Sequence, residues 1–472
     1  MGKKLVLVTG STGYIASRLI PQLLERGYRV RCLVRQPLRL KARAWFPHVE
    51  IVVGDVMVPS TLLPAMDGVH TAYYLVHNMS SGQGYTSRER NSAQTFASIA
   101  EQAGVEHIIY LGGLANPQRI VSSHMRSRME TGETLRQGKV PVTEFRAGVI
   151  VGPGSISFEM IRFMTELLPV IFGPGWLQNL AQPIAVQNVI DYLLAALDSK
   201  TGQSRVFEIG GPDRMSYVEL MLTYSRLRGL KRKYLIVPGI PVWFMALGVE
   251  WMTPVPAVIA TPLVDGMRSE SVVQDESACH VFPKIRLIGY EDAVNLALVR
   301  LHPDYIEPIW AGDEPVVKVL KHEGFFIDHR YLPVNATPEK VFRVFTSMGG
   351  KQGWPYANWL WKFRGWLDKL LGGPGLRSYS GPIKEGDVVD FYRVETIEPD
   401  HMLKLHSELR APGAGWMEWR VESLEGATIL SQTGFFAPRG LPGFLYWYLL
   451  GPFHKLVFRG LIKALARQSE KI

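Results

Sequence analysis

Short aliphatic runs alternate with helix-like patterns through the first third of the chain. Six such runs, which we predict to be strands, lie at 5–8, 30–34, 51–53, 72–76, 107–111 and 142–145. Between them, apolar residues recur with helical spacing, most clearly over 16–26 and 92–103. Strands separated by helices indicate a parallel sheet with helices on both faces, so the pattern predicts a doubly wound α/β fold.

The pattern changes further along the chain. From about residue 155 it becomes richer in helices and loops, with one more predicted strand at 206–209. Pro308 and Pro315 then interrupt a stretch with little periodicity, which is typical of a linker. We therefore expect a first domain at 1–304 with its substrate-side part at 155–304, a linker at 305–324, and a second domain at 325–472.

The second domain begins with a predicted strand at 326–333. Thr337 and Pro338 fit the N-cap and the first position of a helix that follows it. Four more strand-like runs lie at 387–394, 402–409, 416–421 and 428–433. A long apolar helix is expected at 445–466, and this order predicts an α+β domain.

Composition excludes several classes of protein. The chain has 472 residues, 47% of them hydrophobic, which argues against general disorder. Two cysteines allow neither a disulfide framework nor a structural zinc site, and the histidines lack ligand spacing, so we expect no metal and a cytoplasmic location. The net charge of +9 is spread along the chain, which argues against nucleic acid. Its apolar segments are too short for a transmembrane span, but abundant Trp and Tyr leave peripheral membrane contact open.

A glycine-rich turn follows the first predicted strand and opens the first predicted helix. Gly10 permits the tight turn, Gly13 allows a diphosphate to approach the backbone, and Ala16 is small enough for close helix packing. The helix N-terminus supplies amides and partial positive charge for an anion. The turn therefore predicts a Rossmann-type dinucleotide site, with a purely structural turn as the alternative. The residues expected to hold the cofactor here are Gly10, Thr12, Gly13, Tyr14 and Ile15.

The end of the second predicted strand bears on which dinucleotide binds. An NAD site usually has an acidic residue there, but this chain has Arg35, with Arg39 nearby. A guanidinium can pair with a 2′-phosphate, so we expect NADP, with NADPH preferred over NADH. After the third strand, Asp55 and Val56 are expected at the adenine edge, and a role of Asp55 in the turn alone remains open.

These residues resemble the atypical, extended-like branch of the short-chain dehydrogenase/reductase superfamily. The resemblance covers about residues 3–300. The segments that carry it are Thr9-Gly10-x-x-Gly13, Gly54-Asp55-Val56, Arg146 to Gly154, Pro183 to Val186 and Phe207 to Pro212. It implies a Rossmann-type sheet, a nicotinamide cofactor and oxidoreductase chemistry.

The second domain resembles the uncharacterised DUF2867 domain, which is similar to START-like (helix-grip) ligand-binding folds. The matching stretches are Asn358 to Trp361, Arg364 to Asp368, Leu371 to Leu376, Tyr446 to Tyr448 and Pro452 to His454. The implied architecture is an α+β helix-grip fold that binds a small hydrophobic molecule.

The catalytic residues that the resemblance implies are replaced. The superfamily uses a tyrosine, a lysine four residues later and a serine after the fifth strand. Gly112 and Gly113 stand where the serine is expected, and His124 and Arg128 take the tyrosine and lysine positions. Spacing i, i+4 keeps both side chains on one helix face. A histidine can donate a proton, and Arg128 can still bind the ribose or a phosphate.

Two functions therefore stay open. One is an NADP(H)-dependent oxidoreductase for a hydrophobic substrate, with His124 and Arg128 as catalytic residues and Ser122 or Ser123 as a substitute hydroxyl. The other is a non-catalytic NADP(H)-binding redox sensor or assembly factor, whose second domain binds a lipid or quinone.

The second domain crowds aromatic side chains into a short stretch. Trp354, Tyr356, Trp359, Trp361 and Trp366 lie within thirteen residues. Tryptophans form rigid apolar walls with one N–H donor each, so the stretch fits either a pocket for a hydrophobic molecule or a structural core.

Overall fold

The computed structural model describes residues 4–41, 43–77, 84–115, 122–199, 202–253, 255–306, 318–377, 381–424 and 426–472. The chain forms two compact units. The N-terminal unit comprises residues 1–300 with 306–310, and the C-terminal unit comprises 301–305 with 311–472.

The N-terminal unit contains helices on both faces of a parallel sheet, followed by a smaller mixed region. Its strands are β1 (Leu5–Thr9), β2 (Arg29–Val34), β3 (Glu50–Val53), β4 (Thr71–Tyr74), β5 (His107–Gly113), β6 (Val142–Ala147), β7 (Ile150–Val151), β8 (Val170–Gly173), β9 (Leu180–Ala181), β10 (Ile184–Ala185), β11 (Arg205–Ile209), β12 (Met215–Ser216) and β13 (Lys233–Ile236). Its α-helices are α1 (Tyr14–Glu25), α2 (Pro59–Met66), α3 (Tyr85–Gln102), α4 (Ser123–Arg136), α5 (Ile156–Leu167), α6 (Val186–Ala195), α7 (Tyr217–Leu227), α8 (Val242–Met252), α9 (Ala257–Gly266), α10 (Ser277–Val281) and α11 (Tyr290–Val299).

Among the described residues, the main sheet has seven strands in the order β3-β2-β1-β4-β5-β6-β11, and every neighbouring pair is parallel. This is the doubly wound arrangement, and it confirms the predicted Rossmann-type fold. Chain order reverses between β1 and β4, which is where such sheets bind ligands beyond the carboxyl ends of their strands.

Successive side chains of β1 point to opposite faces of the sheet, and each face is covered by helices. Val6 and Val8 pack in a core with α1 and α6, whereas Leu5 and Leu7 pack in a second core with α2, α3 and α4. A strand buried on both faces needs apolar residues at every position, which is what the 5–8 run predicts.

The expected substrate-side part contains three short strand pairs, β7 with β10, β8 with β13 and β9 with β12. Helices α5, α7, α8, α9 and α11 surround them and share one apolar core. This core is separate from the two cores of the main sheet, so this part can vary its surface without disturbing the sheet.

The C-terminal unit folds around an antiparallel sheet. Its strands are β14 (Lys318–His322), β15 (Phe325–Val334), β16 (Val388–Val389), β17 (Tyr392–Glu398), β18 (Met402–Ser407), β19 (Gly413–Leu424) and β20 (Ala427–Pro438). Its α-helices are α12 (Pro338–Thr346), α13 (Asn358–Leu370) and the 30-residue α14 (Gly440–Ser469). Among the described residues, the strand order is β14-β15-β20-β19-β18-β17-β16, and α14 packs on the inner face through Phe458, Leu461 and Leu465. The unit is thus an α+β helix-grip domain, as predicted.

The region expected to be a linker at 305–324 is partly structured. Residues 318–322 form β14, which pairs antiparallel with β15, because a β-turn brings the two strands together. Residues 301–305 belong to the C-terminal unit, where His302 contacts Glu395 at 2.8 Å and Asp304 pairs with Lys404. The sequence pattern indicated neither segment, since neither is long or apolar.

No helix within the described ranges combines the length and the hydropathy that crossing a bilayer requires.

Candidate cofactor site and adjoining cavity

The turn between β1 and α1 begins at a residue whose backbone conformation requires glycine. Gly10 has φ +67°, and a Cβ atom there would lie 2.5 Å from the carbonyl oxygen of Leu75. Thr9 ties the turn to the neighbouring strand, since its hydroxyl donates to the Tyr73 carbonyl at 2.9 Å. The turn is therefore fixed against the end of β4 before any ligand binds.

The same turn presents the N-terminus of α1. The Gly13 amide donates back to the Gly10 carbonyl at 2.8 Å, and the first helical bond runs from the Ser17 amide to the Gly13 carbonyl at 3.0 Å. The amides of Ile15 and Ala16 therefore point out of the helix end, beside the exposed Thr12 and Gly13. A diphosphate fits this arrangement, because the absent side chains leave room for it and the helix dipole favours its charge.

Tyr14 links the turn to the segment 146–154. The guanidinium of Arg18 stacks 3.9 Å from the centre of the Tyr14 ring and donates to the Pro153 carbonyl at 2.8 Å. A Cβ atom on Gly152 would lie 2.5 Å from the Tyr14 hydroxyl. Gly152 thus allows this segment to pack closely against the cofactor turn.

Arg35 and Asp55 lie together at the ends of β2 and β3. The Arg35 guanidinium is 3.8 Å from the Asp55 carboxylate, and the Arg35 side chain is 76% exposed. Asp55 also accepts from the Met57 amide at 2.9 Å, so it does shape the turn that follows β3. Val56 is buried in the core under α2. The Arg35 guanidinium therefore lies mostly exposed at the end of β2 and pairs only loosely with Asp55.

A buried carboxylate that the sequence analysis missed lies beside the residues predicted to be catalytic. Glu89 on α3 is 3% exposed, contacts His77 Nδ1 at 2.6 Å and accepts from the Ser127 hydroxyl. Burial would raise the pKa of Glu89, but the hydrogen bonds from His77 and Ser127 and the charge of Arg128 lower it to about 2. Glu89 is therefore ionised and fixes both partners. Its place on the helix face of Ala93 and Phe96 indicates that Glu89 is buried, but not which residues it contacts.

His124 lies on α4 beside this cluster. Its ring is 5.1 Å from the ring of His77, and its Nδ1 is buried without a hydrogen-bond partner among the described residues. Burial, together with the charges of His77 and Arg128, lowers the pKa of His124 to about 3. The imidazole is therefore neutral at pH 7, so it would act as a hydrogen-bond donor or acceptor rather than as an imidazolium acid.

Arg128 lies one helical turn after His124, as the spacing predicted. Its guanidinium donates to the Leu111 carbonyl at the end of β5, and its own carbonyl accepts from the Tyr110 hydroxyl at 3.0 Å. Tyr110 is fully buried, and burial raises its pKa to about 12, so its hydroxyl has a structural role. Arg128 thus keeps a fixed positive charge at the carboxyl edge of the sheet.

Close packing explains why glycines stand at positions 112 and 113, where a serine is expected. A Cβ atom on Gly113 would lie 2.6 Å from the Met125 sulfur, and one on Gly112 would lie 3.2 Å from the Glu144 carboxylate. Helix α4 therefore packs too closely on β5 for a side chain at 113. Of the two substitute hydroxyls, Ser123 is exposed, whereas Ser122 caps α4 by accepting from the Met125 amide at 3.3 Å.

A cavity of about 90 Å³ adjoins His124 and Ser122. Its walls come from the ends of β5 and β6 and from helices α4, α5, α7, α8 and α9. Six methionines line it, namely Met125, Met160, Met164, Met221, Met245 and Met267. Methionine side chains are apolar and adaptable, so the cavity suits a small apolar group next to a polar atom that faces His124.

Comparisons with known proteins agree with this geometry. The sequence model of a family described as NAD(P)H-binding matches residues 10–136, and that of DUF2867, a family of unknown function, matches 322–461. A candidate dihydroflavonol 4-reductase of Synechocystis sp. is 32% identical over 295 residues, which cover 55% of this chain and 83% of that protein. The photosystem II assembly factor Ycf39 of Cyanophora paradoxa is 25% identical over 250 residues, 51% of this chain and 73% of the relative.

Among solved structures, triphenylmethane reductase of Citrobacter sp. superposes with a TM-score of 0.51 at 19% identity, covering 62% of this chain and 99% of that one. This likeness supports the fold alone. Together with the glycine turn, the strand order and the Synechocystis relative, it leads to one conclusion. The chain belongs to the atypical short-chain dehydrogenase/reductase family and carries an NAD(P)-binding domain joined to a DUF2867 domain.

Proposed function

We propose that the chain is an NADPH-dependent reductase that acts on a hydrophobic carbonyl compound bound in the methionine-lined cavity. The observation that carries this proposal is the position of His124. It is a buried, neutral imidazole on the wall of an apolar cavity, at the carboxyl edge of a nucleotide-binding sheet. The cofactor, when bound, would supply a hydride to the substrate carbon.

The chain's own residues would divide the remaining work. Gly10, Gly13 and the amides of the first turn of α1 would hold the diphosphate, and Arg35 would pair with the 2′-phosphate. NADP(H) is bound by triphenylmethane reductase of Citrobacter sp., which has the same fold, and this agrees with the preference proposed here.

His124 would hydrogen-bond to the substrate oxygen as negative charge develops there. A neutral imidazole can serve this role without giving up its proton, and the proton that the product needs would come from solvent. Glu89 would act as a positioning residue, since it fixes His77, whose ring lies 5.1 Å from that of His124. The absence of tyrosine and lysine at their usual positions is then a change of donor rather than a loss of activity.

The test is NADPH oxidation, followed at 340 nm with a panel of small hydrophobic carbonyl compounds such as benzaldehyde, acetophenone and cyclohexanone. His124→Ala should lower kcat by about 10²-fold, the usual effect of removing one oxyanion donor, and leave the dissociation constant of NADPH unchanged. His280→Ala is the matched control, because it makes the same change at an exposed histidine that does not line the cavity.

Turnover that persists unchanged in His124→Ala would show that this residue does not act on the substrate. NADPH binding without turnover of any compound in the panel would instead favour the redox-sensor function.

A further inference from the structure

The C-terminal unit encloses a second cavity, of about 610 Å³, between the inner face of its sheet and helices α13 and α14. This volume lies within the range of roughly 300–1,000 Å³ that is usual for small-molecule sites. Trp361, Trp447 and Phe436 form aromatic walls. The tryptophan cluster therefore has two roles, because Trp354 is buried in the core and stacks 4.1 Å from Trp361, which faces the cavity.

The charged side chains that line this cavity in the described part of the chain are all basic. Arg364 on α13 is half-buried, and its guanidinium donates to the Tyr446 hydroxyl at 3.2 Å and lies 5.8 Å from the Tyr446 ring. No acidic side chain in the described ranges pairs with Arg364, and none of the described residues that line the cavity is acidic. A half-buried guanidinium among aromatic rings is costly without a counter-charge.

A second polar group stands beside it. His454 on α14 stacks on Phe458 with ring centres 5.4 Å apart, and its Nδ1 is buried without a hydrogen-bond partner in the described part of the chain. Burial, opposed by the charge of Asp328 and reinforced by that of Arg364, lowers the pKa of His454 to about 4, so the ring is neutral near pH 7. It can therefore donate one hydrogen bond to a ligand without carrying charge itself.

We propose that this cavity binds an amphipathic anion whose acidic head group pairs with Arg364 and hydrogen-bonds to Tyr446 and His454. Its apolar body would fill the space between the sheet and the two helices. This inference does not depend on the proposed reductase activity, because every residue that carries it lies in the C-terminal unit.

The test is calorimetric titration of the full chain with dodecanoate and with dodecanol, which share a chain and differ in head group. Dodecanoate should bind at least tenfold more tightly than dodecanol. Arg364→Met should remove that difference, because a charge-assisted bond to the head group is lost. Lys362→Met is the matched control, since Lys362 is exposed on the same helix and its loss changes net charge equally.

A variant that fills the cavity tests the binding site without changing the charge of Arg364. A Cβ atom on Gly415 would meet only ordinary contacts beyond 3.6 Å, so Gly415→Leu can place its side chain in the cavity without backbone strain. This variant should lose both ligands and keep NADPH binding. Equal affinity for the two ligands, or an Arg364→Met protein that still prefers dodecanoate, would overturn the acidic head group. Binding that survives Gly415→Leu would overturn the cavity as the site.

The exposed faces of α13 and α14 carry a second signal, and three of their residues, Phe363, Leu449 and Phe453, also line the cavity. Each helix has an apolar stripe whose members are at least half exposed and recur every three or four residues: Trp359, Phe363, Trp366 and Leu370 on α13, and Leu445, Leu449, Phe453 and Leu456 on α14. The exposed charges among them are basic, because Asp368 is fully buried and α14 contains no acidic residue. Apolar and aromatic residues beside lysines are typical of helices that lie in a membrane interface.

We infer that this face docks on an anionic lipid surface. Vesicles of phosphatidylcholine with 30% phosphatidylglycerol should co-sediment the chain, and phosphatidylcholine alone should bind it at least tenfold more weakly. Trp359→Ser with Trp366→Ser should abolish sedimentation, whereas Trp243→Ser with Trp251→Ser, which removes two tryptophans at least 65% exposed from the N-terminal unit, should not. Unchanged sedimentation of the double variant would refute this surface, as would equal binding to both vesicles.

Discussion

Arg35 offers the sharpest test of cofactor choice. In the Arg35→Ala variant, NADPH should bind about tenfold more weakly and NADH should change by less than twofold. Hydrogen bonds to charged groups contribute about 1.5–3 kcal/mol, and we take the lower end because the side chain is 76% exposed and therefore screened by water. About 1.4 kcal/mol corresponds to a tenfold change in the dissociation constant.

The position of Asp55 also bears on this magnitude. Its carboxylate lies 3.8 Å from the Arg35 guanidinium and competes with a phosphate for it, which is a second reason to expect the smaller value. The assay is calorimetric titration of the full chain with each nucleotide at low and at high salt. The difference between NADPH and NADH should shrink at high salt, because an exposed pair is screened.

Arg29→Ala is the matched control. Arg29 lies on the same strand and also pairs with a carboxylate, that of Glu50, but it is at the opposite end of β2. It removes the same charge and should leave both affinities unchanged. If Arg35→Ala weakens NADPH and NADH equally, or weakens neither, a guanidinium does not select the phosphorylated ribose and the reasoning is wrong.

Three further predictions concern the architecture of the site. Gly10→Ala should lower the melting temperature and abolish nucleotide binding, because φ is +67° and its Cβ would lie 2.5 Å from the Leu75 carbonyl oxygen; retained NADPH affinity would contradict this. Gly113→Ser should fail to restore a conventional catalytic serine and should cost about 1–3 kcal/mol of stability in urea unfolding, since its Cβ would lie 2.6 Å from the Met125 sulfur. Burial lowers the pKa of His124 to about 3, so between pH 6.5 and pH 3 the unfolded chain binds a proton that the native chain does not, and stability falls as the pH falls through this window. In urea unfolding, His124→Asn should flatten that dependence by up to about 1.4 kcal/mol per pH unit. An unchanged slope would refute a neutral buried ring.

The fold was predictable where the chain repeats a simple pattern. The run at 5–8 is apolar at every position because both faces of β1 are covered, and each such run in the first third falls on a strand of the main sheet. The helix expected at 16–26 begins two residues earlier, at Tyr14, because Gly13 serves as its N-cap. The last helix spans Gly440–Ser469 rather than 445–466, since glycines at its start hide the helical period.

The candidate site was predictable only in part. The turn from Gly10 to Ile15 has a local signature, so sequence alone indicates a nucleotide site. The contact of Glu89 with His77 and Ser127 joins three separate elements, and no spacing along the chain could reveal it. The neutral state of His124 is likewise a property of burial in the folded chain, so histidine in sequence suggested an acid where the structure holds a neutral ring.

The most direct test of the central claim is a crystal structure of the full chain with NADPH. We predict that the diphosphate lies on the amides at the start of α1, that the 2′-phosphate contacts Arg35, and that the nicotinamide ring lies against the cavity within reach of His124. A nucleotide bound elsewhere, or a nicotinamide ring directed away from His124 and the methionine-lined cavity, would contradict the proposed reductase.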